Sequence, residues 1–236
     1  MTEASPDVIR VLAAVVRRGE RFLLCRRPME KRHGGLWEFP GGKMDPGEDE
    51  STAVARELRE ELDVEVASVG PVEWRIRDAG SPFVIEFVPV GIRGEPRCLE
   101  HLALEWVTPL ESRGLPLAPA DRRYLLVRTL RQEVEACMRG HGVTTALVHG
   151  STARGEDHPG SDLDLLVAFE TGRSLMDLVA LQLDLQDRLE RRVDLATPGG
   201  VGKGLARSIL SEGVLLFGES TWPELLRPRL QGGEGP

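Results

Sequence analysis

The sequence predicts two successive domains, each mixing strands and helices in an α+β or α/β arrangement. Three observations lead there. The chain has 236 residues, beyond the ~100–150 of a common single domain and enough for two cores. Strand-like and amphipathic helical runs alternate on both sides of a break at Gly140-His141-Gly142. The charge balance also shifts along the chain: a cut after Gln132 leaves 20 basic and 22 acidic residues before it, and 10 and 16 after it, or about −2 and −6.

The elements follow in order. Between Asp7 and Arg27 two β-rich runs, IRVLAAVV and RFLLCRR, meet at Gly19-Glu20 and read as a hairpin. Phe39-Pro40-Gly41-Gly42 then breaks the chain into a loop. From Asp49 to Leu62 there is no Gly or Pro, Ala53, Leu58 and Leu62 recur at helical spacing, and Asp49, Glu50 and Ser51 offer first-turn or capping groups, so this stretch is a helix. Strand-like runs follow at 64–69, 72–77, 83–92 and 102–107, and Pro119-Ala120-Asp121 opens a helix towards Arg139 that serves as connector. The boundary is placed near residue 132, giving domains 1–132 and 133–222 and a tail 223–236, whose Gly-rich end 232–236 is expected to be disordered. In the second domain the expected order is the strand TTALVH, a Gly-Ser loop, the strand DLDLLVAF, a helix Ser174–Glu190 and the short strand RVDLA.

Composition narrows the function classes. A formal charge of −8 is the wrong sign for a chain that neutralises phosphate backbones, so nucleic acid is a poor default partner. Cys25, Cys98 and Cys137 lie far apart without a CxxC pair, which argues against a structural zinc site and a disulfide framework and for the reduced cytosol. Arg10, Arg17 and Arg18 interrupt the one N-terminal apolar run, well short of the ~18 residues of a membrane span, and no cleavage site follows it. A cytoplasmic protein with no membrane partner is the expectation.

Two groups of residues carry chemistry. In GKMDPGEDESTAVARELREELDV, Glu57, Glu60 and Glu61 stand at i, i+3 and i+4 on the helix, three carboxylates within one turn. Either they form a solvated acidic face, or a hard cation such as Mg²⁺ neutralises them and leaves positions for substrate phosphates. The stretch resembles the Nudix box, with Gly42, Glu48, Arg56, Glu57, Leu58, Glu60, Glu61 and Val64 at the family's spacing. It departs only at Asp63, where the family has Gly, and Asp tolerates the left-handed conformation of a helix end. The resemblance implies an α/β/α sandwich with a mixed sheet. It further implies hydrolysis of a nucleoside diphosphate linked to another group, with Mg²⁺ or Mn²⁺ held by Glu57, Glu60, Glu61 and Glu48, and Arg56 orienting the carboxylates. GLWEFPGGK, with Gly41 beside Gly42, is similar to the MutT-like and CTP pyrophosphohydrolase branch, which implies nucleoside triphosphates, oxidised or modified ones included. A further assisting carboxylate is implied at Glu100, with Glu105 the second choice. In that branch the residue at Asp121 faces the base, where a carboxylate can accept from the exocyclic amine of cytosine; a helix cap is the equal alternative. Trp37 and Phe39 either stack on the base or fill core, and Phe39, beside the catalytic loop, is assigned to the pocket.

In GSTARGEDHPGSDLDLLV, Gly150 and Ser151 follow a strand and make a turn able to cradle a triphosphate. Asp162 and Asp164, two apart on a strand, share a face, and Asp194 lies on another predicted strand. Carboxylates within so apolar a run are costly unless they have a task. The pattern resembles the minimal nucleotidyltransferases of the polymerase-β-like superfamily, over roughly 140–218. This implies a small α/β domain with two Mg²⁺ ions on Asp162 and Asp164, Asp194 aiding the ion that activates an acceptor hydroxyl, and pyrophosphate leaving. Arg154 either contacts the triphosphate or faces solvent. The family implies a HEPN-type toxin as one partner; a protein and a small-molecule acceptor stay equally open, and so does an antitoxin-like binding role in which the Nudix half senses nucleotides.

Overall fold

The computed structural model describes residues 8–77, 81–156, 158, 160–219 and 222–231. They divide into two compact units, one ending at Tyr124 and the next beginning at Leu125. Among the described residues no helix is long and apolar enough to cross a membrane.

The first unit runs β1 (Ile9–Arg18), β2 (Arg21–Arg26), β3 (Trp37–Glu38), α1 (Glu50–Leu62), β4 (Glu65–Val69), β5 (Trp74–Ile76), β6 (Phe83–Arg93), β7 (Ala103–Val107) and α2 (Pro109–Ser112), and then enters α3 (Pro119–Gly140). Strand order is β3-β2-β1-β6-β4, with β5 also on β6 and β7 also on β2. The β1–β6 pair is parallel and its neighbours are antiparallel, so the sheet is mixed as expected. Alternation along the strands sends Leu12, Ala14, Val16, Val88 and Val90 to one face, where they pack with Ala53, Val54, Leu58 and Leu62 of α1. Phe87, one residue before Val88, faces the other way and stacks on Tyr124 of α3 at 4.5 Å. Helix, sheet, helix is therefore the layering. Asp49 caps α1 by accepting from the Thr52 N–H at 2.7 Å, and Asp63 closes it in the left-handed region at φ 55°.

The second unit continues with β8 (Val143–His149), α4 (Gly150–Arg154), β9 (Leu163–Phe169), α5 (Leu175–Leu189), β10 (Val193–Ala196), α6 (Lys203–Glu212), β11 (Val214–Phe217) and α7 (Trp222–Gln231). Its sheet has the order β10-β9-β8-β11, with β9 and β10 parallel and the other pairs antiparallel. Leu147, Leu166, Val201, Ala206, Ile209, Trp222 and Leu226 form a core beneath α6 and α7.

Two readings change. The Gly-Ser segment is the start of the one-turn helix α4 and not an open loop. Residues 223–231, assigned to a tail, are helical, because Trp222 and Leu226 are buried. The division between the compact units falls within α3, the helix expected as connector. The expectation of disorder for 232–236 lies outside the described residues.

Candidate functional site

In the first unit α1 presents the carboxylates to the loop that follows β3. Arg56 gathers them: its Nε and Nη2 donate to both oxygens of Glu48 at 2.9 Å, its Nη1 donates to Glu57 at 2.8 Å, and Nη1 lies 3.7 Å from Glu60. This guanidinium holds the Glu48 carboxyl down at about 2 and is itself raised. Gly41 donates its N–H to Glu61 Oε2 at 2.8 Å. A Cβ on Gly42 would stand 2.3 Å from a Glu57 oxygen, and one on Gly41, at φ +133°, would stand 2.2 Å from the Leu12 carbonyl. The two glycines thus let the backbone close on the carboxylates. Glu61 is 7% exposed, and burial pushes its carboxyl up to about 7, with His101 and the Gly41 N–H partly opposing. Glu60 remains solvent-facing.

A cavity of about 450 Å³ opens beside Glu57 and Glu61 and reaches Asp121, a volume that suits a nucleotide-sized ligand. Arg27, Lys31, Arg32 and Lys43 line it. Asp121 is 6% exposed, accepts from the Phe39 N–H at 2.8 Å, and is pushed up to about 7 by burial. It therefore braces the loop before Gly41 from the first turn of α3. The Phe39 ring touches the cavity but is wedged edge-on against Phe22, Phe87 and Tyr124 at 5.9, 5.8 and 5.4 Å. Those contacts anchor the ring in the core while it also lines the cavity. Trp37 is 8% exposed and lies outside the cavity lining, as does Glu105. Glu100 lies on the rim, paired with Lys31 at 3.3 Å.

Two cavity residues carried no sequence signal. The His101 side chain, 4% exposed, puts Nε2 3.7 Å from both Glu38 and Glu61, and Glu38 also pairs with Arg27. Each is a single residue with no spacing partner, visible only when β2, β3 and the 94–102 loop come together.

The second unit assembles its acids from two strands. In the parallel register Asp194 of β10 stands directly beside Asp164 of β9, and Asp162 precedes Asp164 by one pleat on the same face. Leu163 and Leu165 point the other way and are fully buried. A Cβ on Gly150, at φ +66°, would meet Asp164 Oδ2 at 2.2 Å, so glycine is required where α4 begins. Burial raises the Asp164 carboxyl, His149 opposes, and Asp194 and Asp162 add to the rise. Asp162 also pairs with Arg192 at 2.8 Å. Ser151 sits in the first turn of α4, half-buried. Arg154 pairs with Glu156 at 2.7 Å and Glu212 at 3.1 Å and lies close enough to Asp164 to oppose the rise of its carboxyl. His149, 8% exposed and paired with Asp164 across β8 and β9, leaves Nε2 without a partner and was not foreseen.

Both sets of donors fit hard divalent cations. All are carboxylate oxygens, as Mg²⁺ demands, and Asp162, Asp164 and Asp194 converge on one face as Glu57 and Glu61 do beside the cavity.

Comparison with known proteins agrees with this geometry. Residues 7–128 match the NUDIX domain model, and residues 132–221 match the model described as Polymerase beta, Nucleotidyltransferase. A CTP pyrophosphohydrolase of Escherichia coli is 41% identical over 122 residues, 48% of this chain and 86% of that protein. A Mycobacterium tuberculosis protein provisionally named 8-oxo-dGTP diphosphatase 2 is 40% identical over 126 residues, 51% of this chain and 89% of its own. The second unit is similar to a protein adenylyltransferase of Thermococcus cleftensis, 35% identical over 89 residues, 34% of this chain and 90% of that one. Members of both families generally use divalent metal ions. The chain belongs to the NUDIX family, its Nudix hydrolase domain followed by a nucleotidyltransferase domain of the polymerase β type.

Proposed function

We propose that residues 1–132 hydrolyse nucleoside triphosphates, NTP + H₂O giving NMP + pyrophosphate, with cytosine nucleotides favoured over other bases. One observation carries this reading: a single cavity joins Glu57 and Glu61 to Asp121, with four cationic side chains along its wall. The cations suit a triphosphate. Asp121 keeps one oxygen for the Phe39 N–H, leaving the other to accept from an exocyclic amine. Mg²⁺, or Mn²⁺ in its place, is the proposed ion on Glu57, Glu60 and Glu61; when bound it draws charge from the phosphate oxygens and lowers the pKa of water. Arg56 fixes Glu57 and Glu48, the Gly41 N–H fixes Glu61, and Glu100, once released from Lys31, assists from the rim. Incubation with a panel of normal and oxidised nucleoside triphosphates, read by mass spectrometry, tests the proposal. Monophosphate and pyrophosphate from CTP at the highest kcat/KM are expected, and monophosphate only from adenine nucleotides would refute the base assignment.

Residues 133–222, in the same proposal, transfer an NMP from NTP to an acceptor hydroxyl, forming a phosphodiester and releasing pyrophosphate. Asp162, Asp164 and Asp194 would hold two Mg²⁺ ions, and the first turn of α4 at Gly150 and Ser151 would receive the triphosphate. A protein acceptor, or a partner such as a HEPN-type toxin bound without modification, is favoured by one feature of α5: Leu175, Met176, Val179 and Leu183 are 42 to 74% exposed along one stripe. Labelled NTP separates modification from binding, since a pure binding role turns nothing over. The free cysteines Cys25, Cys98 and Cys137 accord with the cytoplasmic setting proposed here.

A further inference from the structure

The cysteine spacing argued against zinc, yet the fold of the second unit brings one cysteine to ligands that sequence distance concealed. Cys137 and His141 are four residues apart at the end of α3, on one side of the helix. The His141 N–H donates to the Cys137 carbonyl at 3.2 Å, which carries the helical geometry one residue past Gly140. Asp184 approaches from α5, and its Oδ2 lies 2.7 Å from His141 Nε2. One donor atom from each of Cys137, His141 and Asp184 lies within 4.8 Å of the other two. The scaffold is firm: Leu181 and Leu185, on either side of Asp184, are fully buried, and Ser174 and Asp177 form a capping box at the start of α5.

We propose that Cys137, His141 and Asp184 form a zinc site distinct from both carboxylate clusters. Thiolate, imidazole and carboxylate are the donors zinc takes, and three protein ligands leave a fourth tetrahedral position open. Thiolate and carboxylate together carry two negative charges, which one Zn²⁺ balances. Ligand atoms on a tetrahedral zinc stand about 3.3–3.8 Å apart, so side-chain rotation of about 1 Å completes the set. The Asp184 side chain is 61% exposed and that of His141 24%, which gives the ion a route in and a solvent-facing fourth position. A hydrogen bond between His141 and Asp184 alone would have no use for the thiol, and this is where the two readings part. Bound zinc ties the end of α3 to α5 and stabilises the second unit by mass action.

The test uses the full chain, stripped with chelator and then held in excess Mg²⁺ to occupy the carboxylate sites. Co²⁺ titration is expected to give a near-ultraviolet thiolate-to-cobalt charge-transfer band saturating at one equivalent and abolished by one equivalent of Zn²⁺. Oxygen-only sites give no such band. Cys137→Ser should lose it and Cys98→Ser keep it, while Asp184→Asn, at an exposed position, should weaken Co²⁺ binding by about tenfold or more. Zn²⁺ should raise the melting temperature of the wild type, but not of Cys137→Ser, by about 5 °C. No band in the wild type, or a band surviving in Cys137→Ser, would overturn the site.

Discussion

Replacing Asp121 with asparagine keeps the shape of a side chain that is 6% exposed and removes its charge. Burial raises this carboxyl from 3.8 to about 7, a gap worth about 4 kcal/mol at 1.36 kcal/mol per unit. Because the folded state holds the proton more tightly than the unfolded chain, its advantage is complete below pH 4 and is lost as pH rises towards 7. Asparagine can still accept from the Phe39 N–H and has no proton to lose. The variant should therefore be nearly equal to the wild type at pH 4 and more stable than it by about 4 kcal/mol at pH 8, the pKa gap already containing the charged carboxylate's bond to Phe39. Urea unfolding followed by tryptophan fluorescence reads this well, since Trp37, Trp74 and Trp106 all precede Tyr124. A midpoint shift of about 2 M is expected at pH 8 for a typical slope. The reasoning fails if the difference between the two proteins is the same at both pH values.

Other changes probe the sites directly. Asp121→Asn should cost cytosine nucleotides ~1–3 kcal/mol in kcat/KM relative to oxidised guanine nucleotides; equal loss on every base would assign Asp121 to loop bracing alone. Glu60→Gln with Glu61→Gln should abolish pyrophosphohydrolysis while circular dichroism stays normal; pyrophosphate release near the wild-type rate would remove these residues from the site. Gly42→Ala should lower kcat by roughly 10–100-fold, as losing a supporting contact does, because the new methyl group would displace Glu57. Asp162→Asn with Asp164→Asn should end nucleotide transfer and leave hydrolysis almost unchanged, whereas a parallel fall in both would point to one composite site.

What could be read from the sequence follows the range of the contacts concerned. The carboxylates of α1 were legible because helical spacing alone sets Glu57, Glu60 and Glu61 together, the β1–β2 hairpin was legible from its β-rich runs and Gly19-Glu20 turn, and the mixed sheet followed only from the family resemblance. The Asp162 and Asp164 pair was legible for the same reason, two residues on one strand. The ion pair of Arg154 with Glu212 and the packing of Phe39 against Tyr124 were not legible, because those partners are distant in sequence. His101, Glu38 and the Cys137 cluster were invisible for that reason too. Short elements such as β11 and α4 escaped because four or five residues carry too little periodicity to tell strand, helix and turn apart.

The side-by-side register of Asp164 and Asp194 has a kinetic corollary. The hydrolytic carboxylates Glu57, Glu60 and Glu61 lie on a single helix, so their spacing relative to one another needs no strand pairing. The transfer site needs Gly150, Asp164 and Asp194 at once, and the last arrives only after α5 has crossed over and β10 has found its parallel neighbour. A slip of one residue would turn Asp194 to the opposite face. The hydrolytic cavity depends on a parallel pair as well, β1 with β6, whose partners Ile9 and Phe83 lie farther apart in the chain than Leu163 and Val193. Long-range parallel pairing is slow to form, so during refolding from denaturant each activity should return only in the slow phase that completes its own sheet.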